Sequence, residues 1–262
     1  MGTFKENLVV IPTYNEIENI EAIIRKVFSL AHPFDVLVVD DGSPDGTALK
    51  VRELQSEYPE RLHLLERKGK QGLGTAYIHG FQWAFGEGYR YLFEMDADFS
   101  HNPDDLLRLY NACAKEGNDV AIGSRYIKGV NVVNWPMGRV LMSYFAGVYV
   151  RFVTGMQIMD PTAGFICYKR EVLQGIGLND IRFVGYAFQI EMKFNTWKYG
   201  YSMTEVPIIF TDRTKGVSKM STKIFKEAVL GVLYLKIRSF FKTYIRKTDA
   251  KPMSIVAMAE VA

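Results

Sequence analysis

The stretch Asp35-Val36-Leu37-Val38-Val39-Asp40-Asp41-Gly42-Ser43-Pro44-Asp45-Gly46-Thr47 decides the fold. Its unbroken apolar run, rich in valine and closed by aspartates, reads as a short strand buried on both faces. Asp41-Gly42 is turn chemistry. Ser43-Pro44-Asp45 then opens a helix running to Tyr58: proline suits an early helical position, and an acid beside it suits the positive end of the helix dipole. Working outward, the same unit recurs. Upstream, Leu8–Pro12 is a buried strand, and Asn15–Leu30 carries Ile17, Ile20, Ile23, Ile24, Val27 and Phe28 at helical spacing, with Asn15 as candidate cap. Downstream come strand Arg61–Glu66, helix Gly74–Gly86, strand Tyr91–Met95, helix Pro103–Glu116 and strand Asp119–Gly123.

Strand–helix alternation of this kind predicts a mostly parallel sheet with right-handed crossovers and helices on its faces, a Rossmann-like α/β fold. Ligands of such sheets bind beyond the carboxyl ends of the strands. Polar, turn-forming clusters follow four of the strands here: Pro12–Glu16, Asp40–Ser43, Asp96–Asp98 and Ser124–Tyr126. All four are expected on one edge of the sheet. The second half is less regular, with an apolar, aromatic helix over Met137–Met156, a strand over Glu205–Phe210 and a basic amphipathic helix over Ile224–Ile245.

Composition narrows the class. With 262 residues, 48% hydrophobic and 23% charged, the chain can bury a core, which excludes disorder as its main state. The longest charge-free apolar stretch is Val140–Val150, well short of the roughly 18 residues of a membrane span. Met1–Val10 lacks a signal-peptide pattern, and Cys113 and Cys167 show no metal spacing, so a reducing cytoplasmic setting is expected. Lys219–Lys247 holds eight basic residues and one acid, so the remainder of this +3 chain is net acidic. That asymmetry suits an anionic membrane surface or nucleic acid.

Asp96 and Asp98 flank one alanine at a strand end, and in extended chain they face one side. Adjacent carboxylates repel unless a cation lies between them, and hard divalent ions take carboxylate and phosphate oxygens together. On spacing alone the pair also suits capping of the helix near Pro103. Asp40-Asp41 is a second acidic pair, one member fit to cap a turn and the other to accept hydrogen bonds from a base or ribose. Gly69–Gly74 lacks both the dinucleotide and the P-loop patterns but allows close approach of a sugar or phosphate. Arg213 and Lys219 bracket Gly216 in a loop suited to a phosphate. His101 has no second histidine beside it, which argues against zinc.

Taken in order, Pro12–Glu16, Val38–Thr47, Gly72–Gly80, Met95–His101, Gly123–Tyr126, Asn134–Pro136, Asp160–Phe165 and Gly185–Glu191 resemble the inverting GT-A glycosyltransferases of family 2, within them the polyprenol-phosphate mannose synthases. The resemblance spans about Leu8 to Lys219. It implies a GT-A catalytic domain over 1–220 with interface helix 137–156, a basic helical segment over 221–248 and a tail over 249–262. It further implies transfer of mannose from GDP-mannose to a dolichyl or polyprenyl phosphate at the cytoplasmic face of a membrane. By the same resemblance, Pro12, Tyr14, Glu16, Val39 and Asp41 hold guanosine. Asp96, Ala97 and Asp98 meet the donor, and Asp96, Asp98 and Ser100 hold Mg²⁺ or Mn²⁺, the third position being glutamine in some members. Arg125, Arg213 and Lys219 lie at the phosphates, with Asp96, Asp98 and Arg125 as the catalytic set. Glu191 is a candidate for positioning sugar hydroxyls. Thr162-Ala163 departs from the common Ser-Gly and weakens inference about the sugar. Some relatives carry C-terminal membrane spans that this chain lacks, which leaves room for a membrane subunit as partner. The rival readings are a UDP-linked glucosyl donor and, outside enzymes, a basic nucleic-acid-binding domain, which the acidic strand ends disfavour.

Overall fold

Strand β1 (Lys5–Thr13) shows how the sheet is covered: Val9 and Ile11 enter one hydrophobic layer and Leu8 and Val10 the other, all without exposed surface. The computed structural model describes residues 5–185, 187–212 and 222–246, with backbone only for 222–228. Helix α1 (Ile20–Phe28) leads to β2 (Asp35–Asp40), α2 (Thr47–Gln55) to β3 (Leu62–Glu66), and α3 (Leu73–Glu87) to β4 (Tyr89–Glu94). A 3₁₀ turn and α4 (Leu106–Ala114) precede β5 (Val120–Ser124). Then follow β6 (Val132–Val133), α5 (Met137–Thr154), β7 (Ile166–Lys169), α6 (Arg170–Gly175), α7 (Ala187–Lys198), β8 (Met203–Pro207), β9 (Phe210–Thr211) and α8 (Thr222–Phe241).

Seven strands form one sheet in the order β3-β2-β1-β4-β7-β5-β8. All pairings are parallel except those of β7, which runs antiparallel to β4 and β5. The mostly parallel GT-A-like sheet expected from the sequence is therefore present. Helices α1, α2 and α4 pack on one face, and α3, α6 and α7 on the other. A third apolar cluster joins α5, α7 and α8 through Val150, Ile190, Phe194, Val232 and Leu235.

Several boundaries differ from expectation for local reasons. Asn15 is not a helix cap; it sits at φ 58° in the turn after β1, and Asn19 is the residue before α1. The helix expected from Ser43 starts at Thr47, because the Asp45 carboxylate accepts from the Thr47 amide at 3.0 Å and its hydroxyl at 2.6 Å, forming a turn first. The strand expected over Glu205–Phe210 is two pieces: β8 ends at Pro207, and β9 pairs with β6 in a separate small sheet.

Candidate active site

The polar clusters do gather on one edge. Strands β2, β1 and β4 are neighbours in register, Thr13 opposite Asp40 and Val10 opposite Glu94, so the turns at 13–16, 40–43 and 95–101 leave the sheet side by side. Strand β5 runs in the same direction, and antiparallel β7 begins at this edge, bringing Asp160–Phe165 to meet Ser124–Tyr126.

The two acids at the end of β2 divide their work. Asp40 is fully buried and serves the turn: it accepts from the Thr13 hydroxyl at 2.8 Å, the Ser43 hydroxyl at 2.6 Å and the Ser43 amide at 2.8 Å. Asp41 is bound by a residue that sequence reading missed, Arg67, whose Nε donates to it at 2.6 Å. The same guanidinium donates to the Thr75 hydroxyl at 2.7 Å and the Gly72 carbonyl at 3.3 Å, tying the ends of β2 and β3 to the start of α3. The signal for Arg67 was its place at a strand end beside an acidic strand end. Gly42, at φ +69°, permits the approach, since a Cβ there would lie 3.1 Å from the Gly69 amide nitrogen. Lys70 stands over the Tyr14 ring, 5.1 Å from its centroid, so the 67–72 turn forms a wall beside Tyr14. Pro12 is partly exposed at the end of β1. The Val39 side chain is fully buried in the core under α3.

Asp96 and Asp98 sit past β4 with Ala97 between them, its methyl in the core. The Asp96 side chain is 40% exposed, while Asp98 and Ser100 are buried, and the Ser100 amide donates to Asp98 at 3.1 Å. Phe99 holds φ 60°, a conformation bulky residues avoid, and it forces the chain to turn back between Asp98 and Ser100. His101 fixes this turn: its Nδ1 accepts from the Asp96 amide at 3.2 Å, and its ring stacks on Phe165 with centroids 4.9 Å apart. Burial holds the imidazole well below its ordinary pKa, so it is neutral at pH 7 and the accepting Nδ1 is unprotonated. Among the described residues no group of three or more His, Cys, Asp or Glu could hold a metal by itself. The local donors are carboxylate and hydroxyl oxygens.

Arg125 is held by the loop entering β7. Its Nε and Nη2 donate to the two oxygens of Asp160 at 2.7 Å each, its amide donates to Asp160 at 3.0 Å, and Nη2 reaches the Thr162 hydroxyl at 2.8 Å. Trp135 and Phe210 lie against the guanidinium, 5.6 and 5.5 Å away. Arg139, another cation not foreseen, donates to both oxygens of Asp212 at 2.9 Å beside the same tryptophan. Arg213 and Lys219 lie outside the described residues. Beneath the edge, Glu94 receives the Gln189 amide and Lys193 donates to the Ala163 carbonyl at 2.6 Å. Burial raises the Glu94 carboxyl and lowers the Lys193 ammonium. Glu191 faces the loop before α7 and helix α8, away from these clusters.

The sheet is parallel-rich with an acidic carboxyl edge and an Asp-x-Asp turn, and the family model described as glycosyl transferase family 2 matches residues 8–177, which makes the chain a glycosyltransferase of that class. The chain belongs to that family. It is 47% identical over 234 residues to the polyprenol monophosphomannose synthase of Mycolicibacterium smegmatis, covering 89% of this chain and 88% of that one. It is 44% identical to the undecaprenyl-phosphate mannosyltransferase of Micrococcus luteus, over 86% and 91%. Against the dolichol-phosphate mannosyltransferase of Pyrococcus furiosus identity is 39% over 84% of this chain, which spans 60% of that protein. The fold is shared with glucosyl-3-phosphoglycerate synthase of Mycobacterium tuberculosis, solved with Mn²⁺, UDP and glucosyl-3-phosphoglycerate (TM-score 0.64, 19% identity, 88% of this chain and 79% of that one). It is shared also with a Pyrobaculum calidifontis mannosyltransferase solved with GDP-Man and Mn²⁺ (TM-score 0.55, 18% identity, 87% and 69%).

Proposed function

We propose that this protein is an inverting transferase that moves mannose from GDP-mannose to a polyprenyl phosphate. The observation that carries the proposal is the 47% identity, over 89% of this chain, to a relative named as a polyprenol monophosphomannose synthase. Pro12, Tyr14, Glu16 and Asp41 receive the nucleoside, Asp41 with its carboxylate held in place by Arg67; Val39 contributes only backbone. Asp96, Asp98 and Ser100 fit Mg²⁺ or Mn²⁺, because an all-oxygen donor set with no thiolate or available imidazole suits a hard ion. Such an ion, when bound, supplies positive charge to a departing diphosphate. His101 and the Phe99 turn hold the two carboxylates in register for it.

The acceptor phosphate needs no activation. Its second pKa is about 6, so it is anionic at neutral pH and no general base has to create the nucleophile. A neutral, buried His101 is compatible with that chemistry. Direct attack at C1 inverts the anomeric centre. In this reading Arg125 is an electropositive wall fixed by Asp160, while Arg213 and Lys219 are assigned to the acceptor phosphate. A donor panel with a short prenyl phosphate tests the whole reading. Label from GDP-mannose is expected in the organic phase; label from UDP-glucose instead would establish the glucosyl rival.

The lipid end of the acceptor calls for a membrane surface. Helices α5 and α8 pack together and expose apolar side chains, among them Phe145, Phe152, Ile237, Phe240 and Phe241, the last 87% exposed. No helix among the described residues is long and apolar enough to cross a membrane. We assign this face to peripheral contact with the bilayer. Among the basic residues whose side chains are described, Arg238, Lys242 and Arg246 pair with Glu191, Asp180 and Asp119, and Lys236 donates to the Thr154 carbonyl. They anchor the C-terminal helix to the domain, and its apolar side faces outward.

A further inference from the structure

Glu191 is fully buried on α7, yet none of its bonds point toward the acidic edge. Its Oε2 accepts from the Arg182 and Phe183 amides at 2.9 Å each, and its Oε1 lies 3.7 Å from the Arg238 Nη1 of α8 without a hydrogen bond. Residues 181–185 thus form a strap pinned by one carboxylate. One side of the strap meets the glycine turn of the nucleotide wall. The Gly74 amide donates to the Val184 carbonyl at 2.9 Å, and a Cβ on Gly72 would lie 3.1 Å from Val184. Gly72 in turn presents its carbonyl to Arg67, the partner of Asp41. The other side meets α8. The Phe183 ring packs edge-on to Tyr234 at 6.3 Å, Arg182 stands over the Tyr234 ring at 5.5 Å, and a Cβ on Gly231 would lie 2.9 Å from Phe183.

We propose that Glu191 is a positioning residue that pins the 181–185 strap between α8 and the 72–74 turn, so that the seating of α8 sets the affinity of the nucleotide side. The inference rests on the proposed function for the identity of that ligand. The physical case is the contiguity of the contacts. A carboxylate buried with one oxygen 3.7 Å from a guanidinium nitrogen gains a full charge-assisted bond if α8 moves toward α7 by about 0.8–1 Å. That movement presses on Phe183, whose backbone is held by the same carboxylate, and Val184 transmits it to the turn that carries Gly72. Packed interiors pass on such shifts because they lack free volume.

The test titrates GDP and UDP, each with Mg²⁺, into the full chain by calorimetry, with thermal unfolding in parallel. The variants are Glu191→Ala, Arg238→Gln, Arg238→Lys and Gly231→Ala. Gly231→Ala gains about 1 kcal/mol in helix propensity while driving a methyl toward Phe183, and the parallel unfolding separates lost folding from lost affinity. Expected is a loss of about fivefold or more in nucleotide affinity for Glu191→Ala, Arg238→Gln and Gly231→Ala, the range of coupled sites, with Arg238→Lys near wild type. Affinities within about twofold of wild type for Gly231→Ala and Arg238→Gln, as for independent sites, would overturn the proposal. A wild type that binds UDP in place of GDP sinks the donor assignment and leaves the coupling readable on UDP. A wild type that binds neither overturns both.

Discussion

Arg125 and Asp160 form a buried, two-pronged ion pair: both carboxylate oxygens accept from the guanidinium at 2.7 Å, and one also accepts the Arg125 amide. The pair joins the end of β5 to the loop entering β7, across the point where strand direction reverses. Burial works to raise the Asp160 carboxyl, and Arg125 more than reverses it, so its pKa lies below the ordinary carboxylate value.

A depressed folded pKa means that the pair stabilises the fold above the unfolded carboxyl pKa of about 3.9 and that this stability is lost as pH falls through the folded value. Asp160→Asn leaves a buried guanidinium without its counter-charge, at a cost of about 3–5 kcal/mol. Urea unfolding is expected to show that loss at pH 7. The gap between wild type and variant should narrow as the solution is taken below the ordinary carboxylate range.

Arg67 predicts a split between stability and binding. Lysine keeps the charge but cannot reach Asp41, Thr75 and the Gly72 carbonyl together. Arg67→Lys is expected to lose about 1–3 kcal/mol of stability from unsatisfied buried acceptors and to weaken GDP binding, because the 67–72 wall loosens. Wild-type GDP affinity in calorimetry would remove Asp41 and its partner from the nucleotide site.

Asp98 carries the metal prediction. A ligand present at about 100 times its Kd stabilises the fold by roughly 2.7 kcal/mol. Mg²⁺ with GDP should raise the melting temperature of the wild type, chelator should cancel the effect, and Asp98→Asn should fold normally yet lose both the metal-dependent rise and most transfer activity. A variant that keeps full activity in chelator would refute the Asp96–Asp98 assignment.

Much of this edge is legible in the sequence because it follows local rules. The runs at Leu8–Pro12 and Asp35–Asp40 are buried on both faces, so they read as strands without reference to partners, and topology then places their acidic ends together. What escapes is set by distant partners. Arg67 looks like any basic residue after a strand until the fold puts Asp41, 26 positions away, against it. Strand β7 is four residues long and its antiparallel sense is decided by β4 and β5, not by its own side chains. Arg238, Lys242 and Arg246 belong to a basic stretch that suits an anionic surface, whereas acids on three other segments pair with them.

That last inversion leads to a prediction about salt. A polybasic face binds anionic vesicles through counter-charge, worth about 1 kcal/mol per exposed cation, and is released by salt because the Debye length shrinks to about 3 Å at 1 M. Arg238, Lys242 and Arg246 already have carboxylate partners on the domain, so little of their charge is available to lipid. The outward side chains of α5 and α8 are apolar instead, with Phe152 and Phe241 almost fully exposed. Burying one phenylalanine in the bilayer interface contributes about 1.5–3 kcal/mol, roughly tenfold or more in partitioning. Vesicle co-sedimentation should therefore persist largely undiminished from low salt to about 0.5 M, where screening confines charge effects to a few ångströms. Phe152→Ser and Phe241→Ser should each lower it about tenfold while leaving GDP binding and the melting temperature close to wild type, since exposed side chains contribute little to the fold. Binding that collapses at 0.5 M salt, or that survives both substitutions together, would mean that cations and not this aromatic face hold the protein to the membrane.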